Sequence, residues 1–451
     1  MSSTIRKLRM LPLKLGLCLL VLLFGLSFTE TAVLASPVTL SPISDSYVHQ
    51  GNPSSNYGTS TSLYVKNDAA SSRQAFLKFN LSGISNVTSA KLRIYGSSSY
   101  NTVLSDTAYN YYIIARDILG NRSLPSSTVT VKTPVDSGPP PVCTNALNST
   151  AAIQNAMKSA APGDIINIAP GTYTGVRSTS GDPGGQGLFY SGQNGNEAAP
   201  IIMKSCDPAD PAVLKGSKVN DGSYGIHLTG DYWQIRDIEI DTAQKGVVLD
   251  HGNHNLLHGL KVHNIGDEAV HFRDGSSYNT LEYSTIYDTG QYQPGYGEGA
   301  YVGSDSSSNY EHLLYDNVIR HTVFDGGITG EHIDIKEGAS GTIVEYCTFN
   351  GTGISGANSA DSFIDVKGVN TIVRYNQGYR NWNANITDAF QVRTHGTVYP
   401  TGTNNSFYSN TVNLDDSSGY VVYATGATTG TTAQDDVRIG GGKLYNNNVN
   451  K

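Results

Sequence analysis

The sequence predicts an all-β chain: a parallel β-helix of stacked coils, preceded by a small and incomplete β-sandwich region. Three observations predict it. Short strands of one kind recur: EAVHFRDG (268–275), EGAYVGSD (298–305), GEHIDIKEG (330–338), DSFIDVKG (361–368) and DAFQVRTHG (388–396). With two earlier ones they start near residues 225, 246, 269, 300, 332, 363 and 390, a repeat of solenoid length with long insertions in the middle coils. The 451 residues include 49 Gly and 28 Tyr with only 15% charged side chains, the balance of an extracellular β-rich protein.

Taken in order, residues 1–35 read as a secretory signal. Arg6, Lys7, Arg9 and Lys14 precede the apolar run LGLCLLVLLFGL, and Val33-Leu34-Ala35 offers a cleavage site. Residues 36–98 alternate as short strands with Gly, Asn and Ser turns. The string DSYVHQGNPSSNYGTSTSLYVKN…RQAFLKFNLSGI…VTSAKLRIY resembles the first part of a DNRLRE-type β-sandwich module, of the kind attached to secreted carbohydrate-active enzymes. From Ser99 the pattern changes. Residues 99–133, with DTAYNYYIIARDILGNRSLPSSTVTVKT, resemble the last strands of a fibronectin type III domain, and no glycan-binding role follows from two partial modules. Residues 134–142 form a Pro-rich linker.

The β-helix domain spans 143–451. STAAIQNAMKSA (149–160) is a helix that Ser149 or Thr150 can cap, and PGDIINIAPGTYTG follows it. That pairing resembles the opening of right-handed parallel β-helices of the pectate-lyase-like class. A second strand also recurs in each coil, and one column in it reads Asp237, Gly259, Ser284, Asn317, Cys347, Asn376, Asn410, Asn447. Asparagines so stacked can form a ladder, and Cys347 there is structural. Of the remaining cysteines, Cys143 and Cys206 are the candidate disulfide of a secreted chain, and no CxxC metal spacing occurs.

The formal net charge of -8 argues against nucleic acid as a partner. No segment after the signal is apolar enough to insert in a membrane, and a monomer is expected. Within the main strands, Ile226, Val247, Val270, Ala300, Ile333, Ile364 and Phe390 face inward. Alternation then sets two outward columns: His227, Val248, His271, Tyr301, Asp334, Asp365, Gln391, and Thr229, Asp250, Arg273, Gly303, Lys336, Lys367, Arg393. Gly303 leaves a gap beside Lys336 for a sugar. Lys367, one coil on, disfavours a second ammonium and lowers a lysine pKa. Tyr301 lies diagonally within reach, so Lys336 and Tyr301 are the expected proton-transfer pair of a β-elimination on a uronate. Arg273, Lys367 and Arg393 would meet substrate carboxylates, with His271, Gln391 and His332 lining the site and Tyr292 and Tyr296 as sugar platforms. No cofactor is expected, apart from a calcium option at Asp334 and Asp365.

GEGAYVGS…GEHIDIKEGASGTIVEYCTFNGTG…SADSFIDVKG…FQVRTHG resembles secreted bacterial β-helix polysaccharide lyases, most of all the alginate lyases of polysaccharide lyase family 31. In such lyases a lysine and a tyrosine carry the elimination, which implies Lys336 and Tyr301 and an acidic polysaccharide substrate, mannuronate-rich alginate. Three alternatives stay open: a pectate lyase, a β-helix glycoside hydrolase drawing on Asp334, Glu337, Asp361, Asp365 and Asp388, and a non-catalytic glycan-binding surface protein.

Overall fold

The computed structural model describes residues 143–177 and 181–451, residue 55, and the strands Ser44–His49, Arg73–Lys78, Ala108–Tyr111 and Val129–Lys132. The signal segment, the linker and most of 36–133 lie outside the described residues. The chain divides into two units, Met1–Pro139 and Pro140–Lys451. In the first, Ser44–His49 pairs antiparallel with Arg73–Lys78, and Ala108–Tyr111 with Val129–Lys132.

The second unit is a parallel β-helix of three ten-stranded parallel sheets. Its opening matches the sequence reading. The helix runs Thr150–Ser159, and the Ser149 side chain accepts from the Ala152 N–H. Ile153 and Met157 bury its inner face over the first coils. Cys143 and Cys206 are disulfide-bonded, with Cα atoms 5.6 Å apart. Among the described residues no helix is long and apolar enough to cross a membrane.

Each coil carries three strands, where the sequence pattern suggested two. The run YWQIRDIEI breaks at Asp237 into Trp233–Arg236 and Glu239–Ala243, which belong to different sheets. Asp237 has φ 54°, and so do its counterparts near that value: Tyr283 at 52°, Tyr346 at 55° and Tyr375 at 58°. One left-handed residue turns the chain sharply enough to start a new sheet. Tyr283, His321, Tyr346 and Tyr375 then stack ring on ring along the outside, with centroids 4.7, 4.9 and 5.0 Å apart.

The same turn corrects the asparagine column, which is two ladders. In one, Asn255, Asn279 and Asn317 each accept, at Oδ1, the backbone N–H of the preceding coil. In the other, Asn376, Asn410 and Asp436 do so for Cys347, Asn376 and Asn410. Asn317 belongs to the first, and Asp237 and Gly259 lie one residue ahead of the second. Cys347 stands in a ladder position, buried and free, its thiol pushed up to about 12 by burial.

Candidate active site

The first sheet supplies the wall. Its middle strands are Lys245–Asp250, Val270–Arg273, Ala300–Val302, Ile333–Ile335, Ile364–Val366 and Phe390–Val392. Their registers pair Val247 with Val270, Val270 with Ala300, Ala300 with Ile333, Ile333 with Ile364 and Ile364 with Phe390. These are the inward residues of the sequence reading, and all are fully or almost fully buried. The outward column therefore runs Val248, His271, Tyr301, Asp334, Asp365, Gln391, as alternation requires. Just past the strands, Gly303, Lys336, Lys367 and Arg393 continue in step, each donating its N–H to the coil before: Phe272, Val302, Ile335 and Val366.

Lys336 and Tyr301 meet on this wall. The Lys336 Nζ lies 5.6 Å from the Tyr301 ring centroid, over its face. Asp305 Oδ2 and Asp334 Oδ2 are 3.5 and 3.7 Å from that Nζ, beyond hydrogen-bond reach. The His271 ring packs edge-on against Tyr301, with centroids 4.5 Å apart. Burial, and then the charges of Asp334, Glu298, Glu268 and Asp305, raise the Tyr301 phenol well above its ordinary value. Tyr301 thus keeps its proton and can give it up only to a strongly basic atom such as a departing alkoxide.

Two expectations about Lys336 are corrected. There is no sugar-sized gap at Gly303: a Cβ built there would lie 3.1 Å from the Lys336 Cβ, so the lysine stem fills that space. Nor does Lys367 lose its charge to its neighbour. Lys367 Nζ donates to Asp334 Oδ1 at 2.8 Å and to Asp365 Oδ2 at 2.6 Å. Burial works against its charge, but Asp334, Asp365 and Glu331 outweigh it and raise the Lys367 pKa. The ammonium also lies between Asp334 and Asp365, the two residues of the calcium option.

Other expected binders are engaged inside the protein. Arg273 forms a bidentate pair with Asp250, both contacts at 2.6 Å, and is sandwiched against Tyr224 and Tyr310. Its fork is closed to a substrate carboxylate. Both His271 nitrogens are used, Nδ1 with Glu268 at 2.7 Å and Nε2 with the Gly303 carbonyl at 2.8 Å. Gln391 is buried between Asp388 and Arg393 and holds the guanidinium. His332 points into the core and stacks between Phe349 and Phe363 at 5.5 and 5.6 Å. Burial lowers its pKa to about 3. Arg393 stays partly open, its side chain 29% exposed. Tyr292 and Tyr296 are about half exposed, on the loop leading into Ala300–Val302.

The sequence reading missed three features. A carboxylate column, Glu268, Glu298 and Glu331, stands two residues before each inward residue. Glu268 is fixed by Lys245 and His271. Glu298 has no ion-pair partner among the described residues: burial, then Glu268 and Asp334, push it up to about 8. Burial and then Asp334 also raise Glu331 well above its ordinary value. The signal was present as Glu in EAV, EGA and EHI, but alternation was counted only forward from the inward residue. The second feature is Trp382, 72% exposed on the loop before Phe390–Val392. The third is a group of Asp305, Glu337 and His395 beside Lys336, whose donor atoms could hold a metal ion.

Comparison with known proteins bears on this wall. Residues 143–301 match the family model described as Pel9A-like, right handed beta helix region, and residues 36–116 match carbohydrate-binding module family 96. The second match runs past residue 98, into the stretch read as fibronectin-like. The chain is similar to the crystal structure of an alginate lyase from Paenibacillus sp. strain FPU-7. The two are 44% identical with a TM-score of 0.63, covering 68% of this chain and 98% of that one. Pectate lyase L of Dickeya chrysanthemi is 30% identical over 146 residues, 32% of this chain and 33% of that protein. Pectate lyase L of Dickeya dadantii is 27% identical over the same length. The chain matches about a third of the length of these two curated relatives.

Proposed function

The chain belongs to the family of right-handed parallel β-helix polysaccharide lyases that includes the Paenibacillus alginate lyase, and from this we propose that it cleaves mannuronate-rich alginate by β-elimination. The observation that carries the reading is the pair on the wall: a lysine Nζ over the face of a tyrosine held in its protonated form. In the proposed reaction Lys336, acting as the free amine, takes the C5 proton of the uronate and becomes an ammonium. The electron pair forms the C4–C5 double bond, and O4 departs with the proton of Tyr301. Arg393, paired with Asp361 but partly exposed, meets a substrate carboxylate. Lys367 and Arg273 hold neighbouring carboxylates in place. Tyr292 and Tyr296, with Trp382, offer aromatic faces at the mouth of the wall.

A hydrolase would need one ionised and one protonated carboxyl facing the same bond. Asp334 and Asp365 are both bound to Lys367, so these two do not form such a pair. Residues 1–35 and the Cys143–Cys206 bridge support export to an oxidising compartment, and we read 36–116 as the module that keeps the enzyme on its polymer. The test is to incubate the secreted chain with mannuronate-rich alginate, guluronate-rich alginate, pectate and a neutral glycan. A rise in ultraviolet absorbance with the first supports the reading. A rise with pectate alone moves the substrate. Reducing ends without absorbance, or no product, overturns it.

A further inference from the structure

Beside the wall, three segments far apart in sequence converge. Asp305 follows Ala300–Val302, Glu337 follows Ile333–Ile335, and His395 follows Phe390–Val392. One oxygen from each carboxylate and one imidazole nitrogen lie within 4.8 Å of one another. Glu337 has no solvent exposure. Its Oε1 accepts from the Ser306 N–H at 2.6 Å and contacts His395 Nδ1 at 2.8 Å. Its Oε2 is buried without a protein partner. A buried carboxylate oxygen is destabilising without a partner, and among the described residues the one ion-pair partner of Glu337 is His395. Ser304 and His312, on the loop that carries Asp305, also keep buried atoms without protein partners, Oγ and Nδ1.

We propose that Asp305, Glu337 and His395 bind one divalent transition-metal ion. Two carboxylates with an imidazole suit a borderline ion such as Zn²⁺ or Co²⁺, whereas Ca²⁺ and Mg²⁺ take oxygen donors. Asp305 Oδ1 is occupied by the Ser307 backbone and hydroxyl, so Oδ2 is the free ligand atom. It lies 3.9 Å from His395 Nε2. The Asp305 and His395 side chains are each 41% exposed, which lets an ion enter and water complete its shell. The seat is built in advance: the Gly338 N–H donates to the Pro400 carbonyl at 2.9 Å and the His395 N–H to Thr401 Oγ1 at 3.0 Å. A bound ion ties the loops on either side of Lys336 together and competes with Lys336 Nζ for Asp305. The site stands independently of the lyase reading.

The test uses the tag-free full-length chain, stripped with a chelator and titrated with Co²⁺. Binding of one ion per chain after desalting, with visible d–d absorption and a higher melting temperature, is the expected result. His395→Gln and Glu337→Gln should each weaken binding at least about tenfold, while His251→Gln, at an exposed histidine paired with Asp274 elsewhere, should not. Absence of stoichiometric Co²⁺, or equal binding by His395→Gln, overturns the proposal. His395 is part-exposed, so that variant decides the matter even if Glu337→Gln fails to fold.

Discussion

Lys336 and Lys367 occupy the same position on successive coils, and they are in opposite chemical states of engagement. Both are largely covered, with side chains 8% and 12% exposed. Lys367 makes two charge-assisted bonds at 2.8 and 2.6 Å, the geometry of a structural cation. Lys336 has two carboxylates at 3.5 and 3.7 Å and bonds to neither. The difference comes from what lies one coil before each. Behind Lys367 is Asp334, flanked by Asp365. Behind Lys336 are Gly303 and the face of Tyr301. Burial alone does not separate a reactive lysine from a structural one; the partner distances do.

The largest effect should come from Lys336→Ala. Loss of a positioned proton-transfer group costs about 10²–10⁴-fold in turnover, read as ultraviolet absorbance on alginate. The melting temperature should hold, because Lys367 still neutralises Asp334. Tyr301→Phe keeps the ring against His271 and should fall in the same range. Turnover within a few-fold of the parent in either variant would end the assignment of that residue.

Lys367→Met should act the other way round. It leaves Asp334 and Asp365 buried without their shared cation, a loss of about 3–5 kcal/mol. Denaturant unfolding measures it. A stable Lys367→Met chain that binds but does not turn over alginate would reverse the roles given to the two lysines.

The carboxylates repeat the contrast. Glu268 has Lys245 and stays ionised, while Glu298, one coil on, has no ion-pair partner among the described residues and is pushed up to about 8 from 4.5, chiefly by burial. Across that window the folded chain keeps a proton that the unfolded chain has released. Stability therefore falls as pH rises through it, and levels off above about 8. Glu298→Gln should flatten the fall, seen as a melting temperature that declines less with pH than the parent's. Parallel curves would mean that Glu298 is already ionised.

The inward column and both outward columns were legible because alternation has a period of two and insertions between coils do not disturb it. Three things were not. The left-handed residue that divides each second strand has no fixed identity: it is Asp237 in one coil and Tyr283, Tyr346 or Tyr375 in others. The turn into each wall strand breaks the alternation, which hid Glu298 and Glu331 and turned His332 inward among phenylalanines. Pairing was hidden as well. A column of Arg and Lys reads as free positive charge, but the carboxylates that neutralise it lie two residues away on the same face, as Asp365 does from Lys367. Loop closure, which brings His395 to Glu337, follows from no local pattern.

Gly303 gives the smallest and most discriminating test. Its φ of 102° is one that side chains rarely adopt, and an added Cβ would come within 3.1 Å of the Lys336 Cβ. Gly303→Ala therefore carries about 1–2 kcal/mol of backbone strain and displaces the lysine stem. If the missing Cβ of Gly303 is what lets the Lys336 stem pack there and lean toward Tyr301, turnover should drop roughly tenfold, since small displacements of a reacting group are costly. The KM should stay unchanged, because no substrate contact is removed. A lower melting temperature with full turnover would mean that the glycine serves only its own backbone. The position of Lys336 would then be set by Asp305 and Asp334, and replacing either carboxylate by its amide would become the decisive experiment.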